Sequence, residues 1–419
     1  MKDDSLLKKM QSGFNDIFYI WKQEIQAIFR DKTVITFFII LPLFYPLVYA
    51  YIYTNEVIRD IPAVVVDQSK TKLSREFIRK VNSTPDVDFV AHCADMAEAK
   101  EFLKQQKAYG ILYIPSDFSK KLNLNQSTEV TMFCDMSGIL YYKGLVMATT
   151  KVSLSMNERI KVSHSNNTTA REDEISGYPI KYEEVSFYNP ANGMASYLIP
   201  GVLILIIQQA IFLGMSVIAG TNREENKYHR LIPNNKHYSG TLRIVFGKGI
   251  CYYMVCIILA LYVVCIVPWI FSLPYIGNPI NIVLFIIPYL AACIFFTMTF
   301  ASFIRDRESG LVVFVFTSII FLFGSGISWP LSNIPDFWKY IFCLVPSTFG
   351  IKGYVSINSM GASMNEVSTE FMALWIQTGF YFITTCLIYR YQIISFRRKL
   401  IRDHKAMKEK RELKKNKAN

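Results

Sequence analysis

The sequence predicts an α-helical polytopic membrane protein with six transmembrane helices, further re-entrant or interfacial helices, and an inserted extracytoplasmic α/β domain. The 419-residue chain is 52% hydrophobic and contains 31 Phe and 25 Tyr, which is more apolar surface than one soluble core of this length requires. The apolar residues gather in six runs, and a helix of about 20 apolar residues crosses the roughly 30 Å hydrocarbon core of a bilayer. These runs therefore predict membrane helices.

Changes in composition along the chain set the predicted segment boundaries. The segments are a cytoplasmic amphipathic interfacial helix (1–32), a first transmembrane helix (33–54), an extracytoplasmic α/β domain (55–188), a transmembrane domain with five helices (189–396) and a basic cytoplasmic tail (397–419). The transmembrane domain includes a polar cytoplasmic loop at 220–243 and a re-entrant region at 329–368.

The first segment repeats apolar residues at helical spacing. The apolar residues of this predicted helix face are Phe14, Ile17, Phe18, Trp21, Ile25 and Ile28. The pattern fits a helix in the cytoplasmic interface, with Trp21 at headgroup depth, and it fits an ordinary packed amphipathic helix equally well. The next run, Val34 to Tyr53, contains Pro42 and Pro46, which a membrane helix tolerates as kinks where neighbours satisfy the freed carbonyls.

The region after the first run has the composition of a soluble domain. Strands are predicted at 61–66, 87–91, 108–114 and 129–134, and helices at 73–81, 94–105 and 140–162. Strands that alternate with helices indicate an α/β domain. Because it lies between an inside-to-outside span and an outside-to-inside span, the domain is predicted to be extracytoplasmic.

An apolar helix predicted at Met194 to Ala219 is followed by a short basic loop. The charges assigned to this loop are Arg223, Glu224, Glu225, Lys227, Arg230, Lys236, Arg243 and Lys248. Short loops rich in Lys and Arg favour the cytoplasmic side, so this second span is predicted to run from outside to inside. Further spans are predicted at 249–271, 281–304, 311–328 and 371–394. Before the last span, Pro330, Pro335 and Pro346 interrupt a segment too apolar for a free loop, which predicts short re-entrant or interfacial helices.

Several motifs occur in an order that resembles the type-2 permeases of ATP-binding cassette (ABC) exporters. In the membrane half these are Arg30-Asp31, Tyr197-Leu198-Ile199-Pro200-Gly201, Arg223-Glu224-Glu225, Ser325-Gly326-Ile327-Ser328-Trp329-Pro330, Ile334-Pro335 and Val345-Pro346-Ser347-Thr348. In the predicted α/β domain they are Val66-Asp67-Gln68-Ser69, Tyr109-Gly110-Ile111-Leu112-Tyr113-Ile114-Pro115 and Cys134-Asp135-Met136-Ser137.

The resemblance implies a role for each group of membrane motifs. The residues that would touch a separate ATPase, in a coupling loop at 220–243, are Arg223, Glu224, Glu225, Lys227 and Arg230. The residues at the start of the first span and at the gate would be Arg30, Asp31, Pro200, Gly201, Pro330, Pro335 and Pro346. Where the family continues with Gly-Thr after the acidic pair, this chain has Asn226-Lys227-Tyr228-His229. A solvated turn whose charges only set the orientation would explain the same loop.

Polar residues within apolar spans are costly and are therefore candidates for a substrate pathway. These residues are Gln208 and Gln209 in the second span, Thr317 in the fifth and Gln377 in the sixth. Successive helix positions point about 100° apart, so at least one of the two neighbouring glutamines should face protein. The resemblance places the second and fifth spans along a dimer seam where substrate would pass. Hydrogen bonds between helices would explain the same residues equally well.

No catalytic, metal or cofactor site is predicted on this chain. The five histidines are scattered, and none shares a helix face with a second His or a Cys. No Gly-x-x-x-x-Gly-Lys-Ser/Thr string occurs, so ATP and Mg²⁺ are expected on a partner ATPase. Cys93 and Cys134 lie in the polar region between spans, where an oxidising compartment could pair them, and the sequence leaves that pairing open.

These features predict the permease subunit of an ABC exporter in the bacterial cytoplasmic (inner) membrane, with both termini cytoplasmic. It would move a hydrophobic or amphiphilic substrate outwards by ATP hydrolysis on a separate subunit. Expected partners are that ATPase, an identical or related second permease chain, membrane lipid and, where the envelope requires one, a periplasmic adaptor. The formal charge of +12 lies beside apolar segments and in the tail, which argues against nucleic acid. The alternative is a membrane-anchored extracytoplasmic sensor or scaffold without transport activity.

Overall fold

The helices and strands are taken from a computed structural model that describes residues 2–124, 126–164, 172, 187–189, 193–224 and 240–416. The chain divides into two compact units. The helical unit comprises Met1–Thr54 and Phe187–Asn419, and the α/β unit comprises Asn55–Ser186.

Thirteen helices are numbered here in chain order over the described residues. They are α1 (Lys2–Arg30), α2 (Lys32–Ile52), α3 (Lys72–Asn82), α4 (Met96–Lys104), α5 (Phe118–Asn123), α6 (Ile139–His164), α7 (Met194–Glu224), α8 (Thr241–Ile270), α9 (Pro279–Ala301), α10 (Arg307–Gly324), α11 (Asp336–Phe342), α12 (Pro346–Met360) and α13 (Ser368–Asn416). The strands are β1 (Ile61–Asp67), β2 (Val87–His92), β3 (Gly110–Ile114) and β4 (Thr131–Cys134).

Six helices of the described chain are long and apolar enough to cross a membrane. They are α2, α7, α8, α9, α10 and the first part of α13, Ser368–Ser395. The prediction of a polytopic helical membrane protein with six candidate spans is therefore confirmed by helix length and composition. The shorter helices α11 and α12 meet at an angle of 88°, which is the geometry of a broken span or a re-entrant loop.

Helix α7 lies at the centre of the helical unit. In its most apolar 18-residue window 89% of the residues are buried by the chain itself, whereas the figure for α10 is 17%. The largest fully buried side chains of this unit include Phe212 of α7, Phe38 of α2, Tyr289 of α9 and Tyr354 of α12. The Tyr289 hydroxyl donates to the carbonyl of Ile204 at 2.6 Å, so even the polar end of this ring is satisfied inside the core.

Small residues bring α7 and α10 close together along a contact that we call the α7–α10 seam. A Cβ atom on Gly310 would lie 3.3 Å from Cβ of Ser216, and one on Gly220 would lie 2.6 Å from the carbonyl of Asp306. Such small residues let membrane helices approach closely enough for extensive van der Waals contact. The helices run antiparallel at the seam, since lower numbers on α7 meet higher numbers on α10.

Two spans contain a wider π-helical turn that ends just before a proline. The turn Thr36–Ile40 precedes Pro42 in α2, and the turn Tyr262–Ile266 precedes Pro268 in α8. A proline ring lacks an N–H group and clashes with the carbonyl four residues earlier. Because each π-helical turn contains that carbonyl, the widening accommodates the ring while the helix continues.

The α/β unit is built on one sheet with the strand order β2-β1-β3-β4. Strand β1 is parallel to β2 and β3, whereas β3 and β4 are antiparallel. Helices α3 and α6 contribute to the larger apolar cluster with Ala63 and Val65, and α4 contributes to a second cluster with Val64 and Val66. Alternate residues of β1 therefore face two separate cores.

The two cysteines of the α/β unit are free thiols that lie in different clusters. Cys93 is buried with Val64 and Val66, while Cys134 packs against the cluster that contains Val65. Burial, followed by the charges of nearby acids, raises the pKa of the Cys93 thiol, and burial raises the pKa of the Cys134 thiol. Both groups are therefore protonated and poorly nucleophilic at neutral pH.

Several helix ends differ from the sequence prediction, among them the end of α10 at Gly324 and the extension of α13 to Asn416, and two of them change the assignment of charged residues. Helix α7 continues to Glu224 instead of ending at Ala219, and α8 begins at Thr241 instead of Gly249. The residues Arg223, Arg243 and Lys248, assigned to a loop by their charge, thus belong to helices. The physical reason is that each of these cations has an acceptor on a neighbouring helix or turn, as the next subsection describes.

Replacing Gly220 by alanine tests the close approach at the α7–α10 seam. We expect the free energy of unfolding to fall by about 1–3 kcal/mol, because the added methyl group meets backbone atoms that cannot rotate away. Titration of the detergent-solubilised chain with sodium dodecyl sulfate, followed by circular dichroism, measures the change.

The matched control is Gly379→Ala on α13, where a Cβ atom meets nothing within 4 Å among the described residues. This change should leave stability equal or slightly higher, since alanine favours a helix more than glycine does. Equal stability of the two variants would contradict the packing at Gly220.

Candidate functional site

The start of α2, the end of α7 and the start of α10 meet at one arginine. The Arg307 guanidinium lies 3.4 Å from the Asp31 carboxylate through Nη2, and 3.4 Å from the Glu224 carboxylate through Nε. The Arg307 backbone N–H also donates to Glu224 at 2.9 Å, which satisfies one of the free donors at the start of α10. Asp31, Glu224 and Arg307 are called the Arg307 cluster below.

Both carboxylates of the cluster also serve helix N-termini. Asp31 caps α2 by accepting a hydrogen bond from the Thr33 N–H at 2.9 Å. Glu224 places its negative charge at the positive end of the α10 dipole. The neighbouring Asp306 caps α10 by accepting from the Ser309 N–H at 2.7 Å, and its bonds to Ser309 hold the pKa of that carboxyl below its usual range.

Arg223 connects the end of α7 to the turn between α9 and α10 through hydrogen bonds. Its guanidinium donates to the carbonyl oxygens of Ser302 and Ile304, which follow the last residue of α9. Carbonyl groups at a helix C-terminus have no partner within the helix, so a cation is well placed there. Adjacent residues of α7 thus bind both sides of one turn: Arg223 on the α9 side and Glu224 on the α10 side.

A second set of ion pairs fixes α1 on α8. Asp16 pairs with Arg243, and Glu24 lies 2.6 Å from the Lys248 ammonium and accepts from the Tyr252 hydroxyl at 3.0 Å. Asp16 is only 3% exposed, and breaking the ion pair would leave a buried charge uncompensated by Arg243. On the opposite face of α1, Phe14, Phe18 and Phe29 are exposed, so the helix is packed on one side and apolar on the other.

The remaining coupling residues lie outside the described residues. Of the residues predicted to touch an ATPase, only Arg223 and Glu224 are described, and both contact other parts of this chain. Glu225, Lys227 and Arg230 follow them directly in sequence but fall in the range that the structure does not describe. Arg30, predicted to act with Asp31, is exposed at the end of α1.

The motif residues Pro200 and Gly201 are buried within α7. A Cβ atom on Gly201 would lie 2.9 Å from the Ile327 side chain and 3.3 Å from that of Ile351. The Tyr197 hydroxyl, one turn earlier, donates to the Ile327 carbonyl at 3.2 Å. The Pro-Gly pair therefore allows α7 to pack directly against the segment after α10 and against α12.

The three prolines of the predicted re-entrant region begin short helices. Pro330 precedes the 3₁₀ turn Leu331–Asn333, Pro335 precedes α11, and Pro346 is the first residue of α12. A proline is favoured at such positions because its missing N–H would have had no helical partner. These prolines thus shape the bend between α11 and α12.

Two residues of α13 hold this bend by donating to free carbonyls. The Gln377 amide donates to the Cys343 carbonyl at 2.7 Å, and the Tyr381 hydroxyl donates to the Leu344 carbonyl at 2.6 Å. Both carbonyls follow the last residue of α11, where helix geometry leaves them without partners. Gln377, predicted as a pathway residue, therefore donates to a carbonyl of the bend in this chain. Tyr381 was missed, although its spacing of one helical turn from Gln377 was visible in the sequence.

The other pathway candidates fall in two places. Gln208 is fully buried and accepts from the Cys293 thiol at 3.6 Å. Gln209 is 7% exposed, and neither polar atom of its side chain has a partner within the described residues. Gln209 lies two turns before Ser216, and Thr317 lies two turns after Gly310, so helical spacing places both on the helix faces that form the α7–α10 seam. The Thr317 hydroxyl donates to the Phe314 carbonyl at 3.1 Å.

The described residues contain no group of three or more His, Cys, Asp or Glu side chains that could hold a metal ion. Several charged groups of the described helical unit instead pair between helices, as Asp16 and Glu24 of α1 and Arg307 of α10 do. Such an arrangement can transmit a displacement between helices, because each ion pair joins two elements.

Comparison with known proteins identifies similar chains. Residues 32–387 match the family described as ABC-2 family transporter protein. The linearmycin resistance permease protein LnrN of Bacillus subtilis (strain 168) is 22% identical over 328 residues, which cover 72% of this chain and 81% of that protein. The probable multidrug ABC transporter permease YbhR of Escherichia coli (strain K12) is 19% identical over 323 residues, which cover 77% of this chain and 84% of that protein.

The six apolar spans and the matched family define a multi-pass membrane transport protein. The chain belongs to the ABC-2 family of transporter proteins, because the match extends over well more than half of its residues. Members of this family are permease subunits that work with a separate ATPase subunit and are not themselves enzymes.

A double-mutant cycle on Arg307→Gln and Glu224→Gln tests the Arg307 cluster. We expect a coupling energy of about 0.5–1 kcal/mol, because the two side chains are 31% and 39% exposed and solvent screens part of their attraction. Unfolding in mixed detergent micelles measures the four stabilities that the cycle requires.

The exposed pair Lys339–Asp336 on α11 provides the control, since its Asp336 side chain is 82% exposed. That cycle should give less than about 0.5 kcal/mol. No coupling between Arg307 and Glu224 would show that the cluster does not join α7 to α10.

Proposed function

We propose that the chain is the membrane subunit of an ABC exporter that moves a hydrophobic or amphiphilic substrate out of the cytoplasm or the inner leaflet. The energy comes from ATP hydrolysed by a separate subunit. The observation that carries this proposal is the Arg307 cluster, which joins the starts of α2 and α10 to the end of α7. That end leads directly into the segment that bears Glu225, Lys227 and Arg230.

The basic segments support an orientation with the Arg307 cluster on the cytoplasmic side. The chain carries many Lys and Arg residues after α7 and in the last part of α13, and short basic segments favour the cytoplasm. The α/β unit is connected between α2 and α7, so on this topology it lies outside the cytoplasm. Both termini are then cytoplasmic, and the membrane is the bacterial inner membrane.

Coupling to the ATPase follows from the contacts at the end of α7. A partner that docks on Glu225, Lys227 and Arg230 displaces the last turn of α7. Arg223 and Glu224 carry that displacement to the α9–α10 turn through two carbonyls and one guanidinium. The pairs between α1 and α8 provide a second route, because Glu24 and Lys248 join helices that would otherwise move separately.

The substrate pathway is proposed along the α7–α10 seam. Gln209 has two unpartnered polar atoms in the described structure, and a buried amide without partners is costly unless another group satisfies it. Helix α10 also exposes an apolar stripe on its outer side, formed by Val312, Val315, Phe316, Ile319 and Phe323. A second identical or related permease chain that covers this stripe would place the pathway between the two chains.

The proposed substrate class is based on the side chains of the spans and on the names of the two relatives. The described spans are lined with apolar and aromatic side chains, which suit a hydrophobic or amphiphilic cargo better than a small ion. The names of the two relatives refer to linearmycin resistance and to multidrug transport.

Reconstitution of the chain with its co-purifying ATPase tests the proposal. We expect the complex to hydrolyse ATP and the hydrolysis to rise with added amphiphile. Glu225→Gln should leave basal hydrolysis and membrane insertion intact while reducing the amphiphile-stimulated part by about tenfold, since a charge-assisted contact to the ATPase is lost. The coupled phosphate-release assay measures both rates.

Glu308→Gln is the matched control, because Glu308 is an exposed acid next to Arg307 in sequence and lies outside the segment proposed to touch the ATPase. Its stimulated rate should equal that of the wild type. Unchanged stimulation in Glu225→Gln would remove the coupling role, and a purified chain that recruits no ATPase would contradict the exporter assignment.

A further inference from the structure

The α/β unit contains an open groove between α3 and the edge strand β2. The groove has a volume of about 280 Å³. It is lined by Arg75, Ile78, Arg79, Asn82, Phe89 and His92. Among the described strands β2 pairs with β1 alone, so the groove lies at an edge of the sheet. None of the lining residues is acidic, which makes this concave surface basic.

The two arginines stand one turn apart on α3, so both point to the same side of the helix. Neither makes an ion pair within the described part of the chain. The acid of the same helix, Glu76, already pairs with Arg159 at 2.8 Å and with Lys80 at 3.9 Å. Arg75 and Arg79 therefore line the groove with no carboxylate partner among the residues that the structure describes.

An irregularity in β2 turns His92 towards the same groove. Phe89 pairs with Ala63 of β1, but Ala91 pairs with Val64, so one extra residue is inserted between them. His92 consequently pairs with Val65, which shares a core cluster with Ala63. Without the inserted residue, side chains three apart on a strand would face opposite sides. Bulges of this kind commonly re-aim a side chain next to a functional site.

Asn82 adds a further donor at the rim. Its side-chain oxygen accepts from the Phe89 N–H at 2.7 Å, which leaves the amide NH₂ group available to donate. The polar groups of the groove are then two guanidinium groups, an imidazole and an amide NH₂, above the apolar side chains of Ile78 and Phe89. A ligand that fits must supply several acceptor oxygens.

We propose that this groove binds the phosphate group of a small ligand. Guanidinium groups match phosphate oxygens through paired N–H donors, and a tetrahedral phosphate can engage donors that arrive from α3 and from β2 together. A carboxylate has only two oxygens in one plane and would leave part of this donor set unused. The binding site does not depend on the proposed transport function.

Titration calorimetry on the full chain in phosphatidylcholine nanodiscs tests the site, with inorganic phosphate and glycerol 3-phosphate as probes. Wild type should bind both saturably. Arg75→Gln and Arg79→Gln should each weaken phosphate binding by about tenfold, because each loses a charge-assisted contact. Lys80→Gln removes the same charge from the same helix outside the groove and should bind as the wild type does.

A lack of saturable binding by wild type would overturn the site, and so would equal weakening by Lys80→Gln and Arg79→Gln. Unfolding midpoints that match wild type verify that the variants are folded. Nanodiscs that contain phosphatidic acid distinguish the source of the phosphate. A lower apparent affinity for inorganic phosphate in those discs indicates a lipid headgroup in the groove, whereas an unchanged affinity indicates a soluble phosphate ligand.

Discussion

Most of the helical unit is arranged around the burial of one helix. Helix α7 is covered by its own chain along nearly its whole apolar length, yet it ends in an arginine and a glutamate. Those two charges need partners, because an uncompensated charge beside an apolar core is costly. The carbonyls of Ser302 and Ile304 and the guanidinium of Arg307 supply them. The position of the α9–α10 turn follows from that requirement.

The same rule explains the polar contacts elsewhere in the spans. Lys248 is 8% exposed in α8 and is balanced by Glu24 of α1, and the free carbonyls after α11 are met by Gln377 and Tyr381. Each of these contacts joins segments that are far apart in sequence. Each polar contact therefore links two helices of this unit at a defined point, in addition to the apolar packing between them.

The main helices and strands could be predicted from the periodicity of apolar residues. The contacts of the site could not, because they join residues that are far apart in sequence. Six apolar runs and the alternation of strands with helices are local patterns, and the structure has helices and strands at those places. The helical state of Arg223, Arg243 and Lys248 depends on partners outside their own segments, so charge alone suggested a loop. The inserted residue that turns His92 was invisible for the same reason, since it is defined only by pairing with β1.

The assigned role requires that the Arg307 cluster and the α/β unit lie on opposite sides of the membrane. Single cysteines at Arg305 and at Lys104, both exposed, can be compared in a chain whose eight native cysteines are replaced. The measurement is labelling of intact cells by a maleimide that does not cross membranes. Labelling of Lys104→Cys alone, with Arg305→Cys reacting only after permeabilisation, is the predicted result. Labelling of Arg305→Cys from outside would contradict the coupling of this chain to a cytoplasmic ATPase.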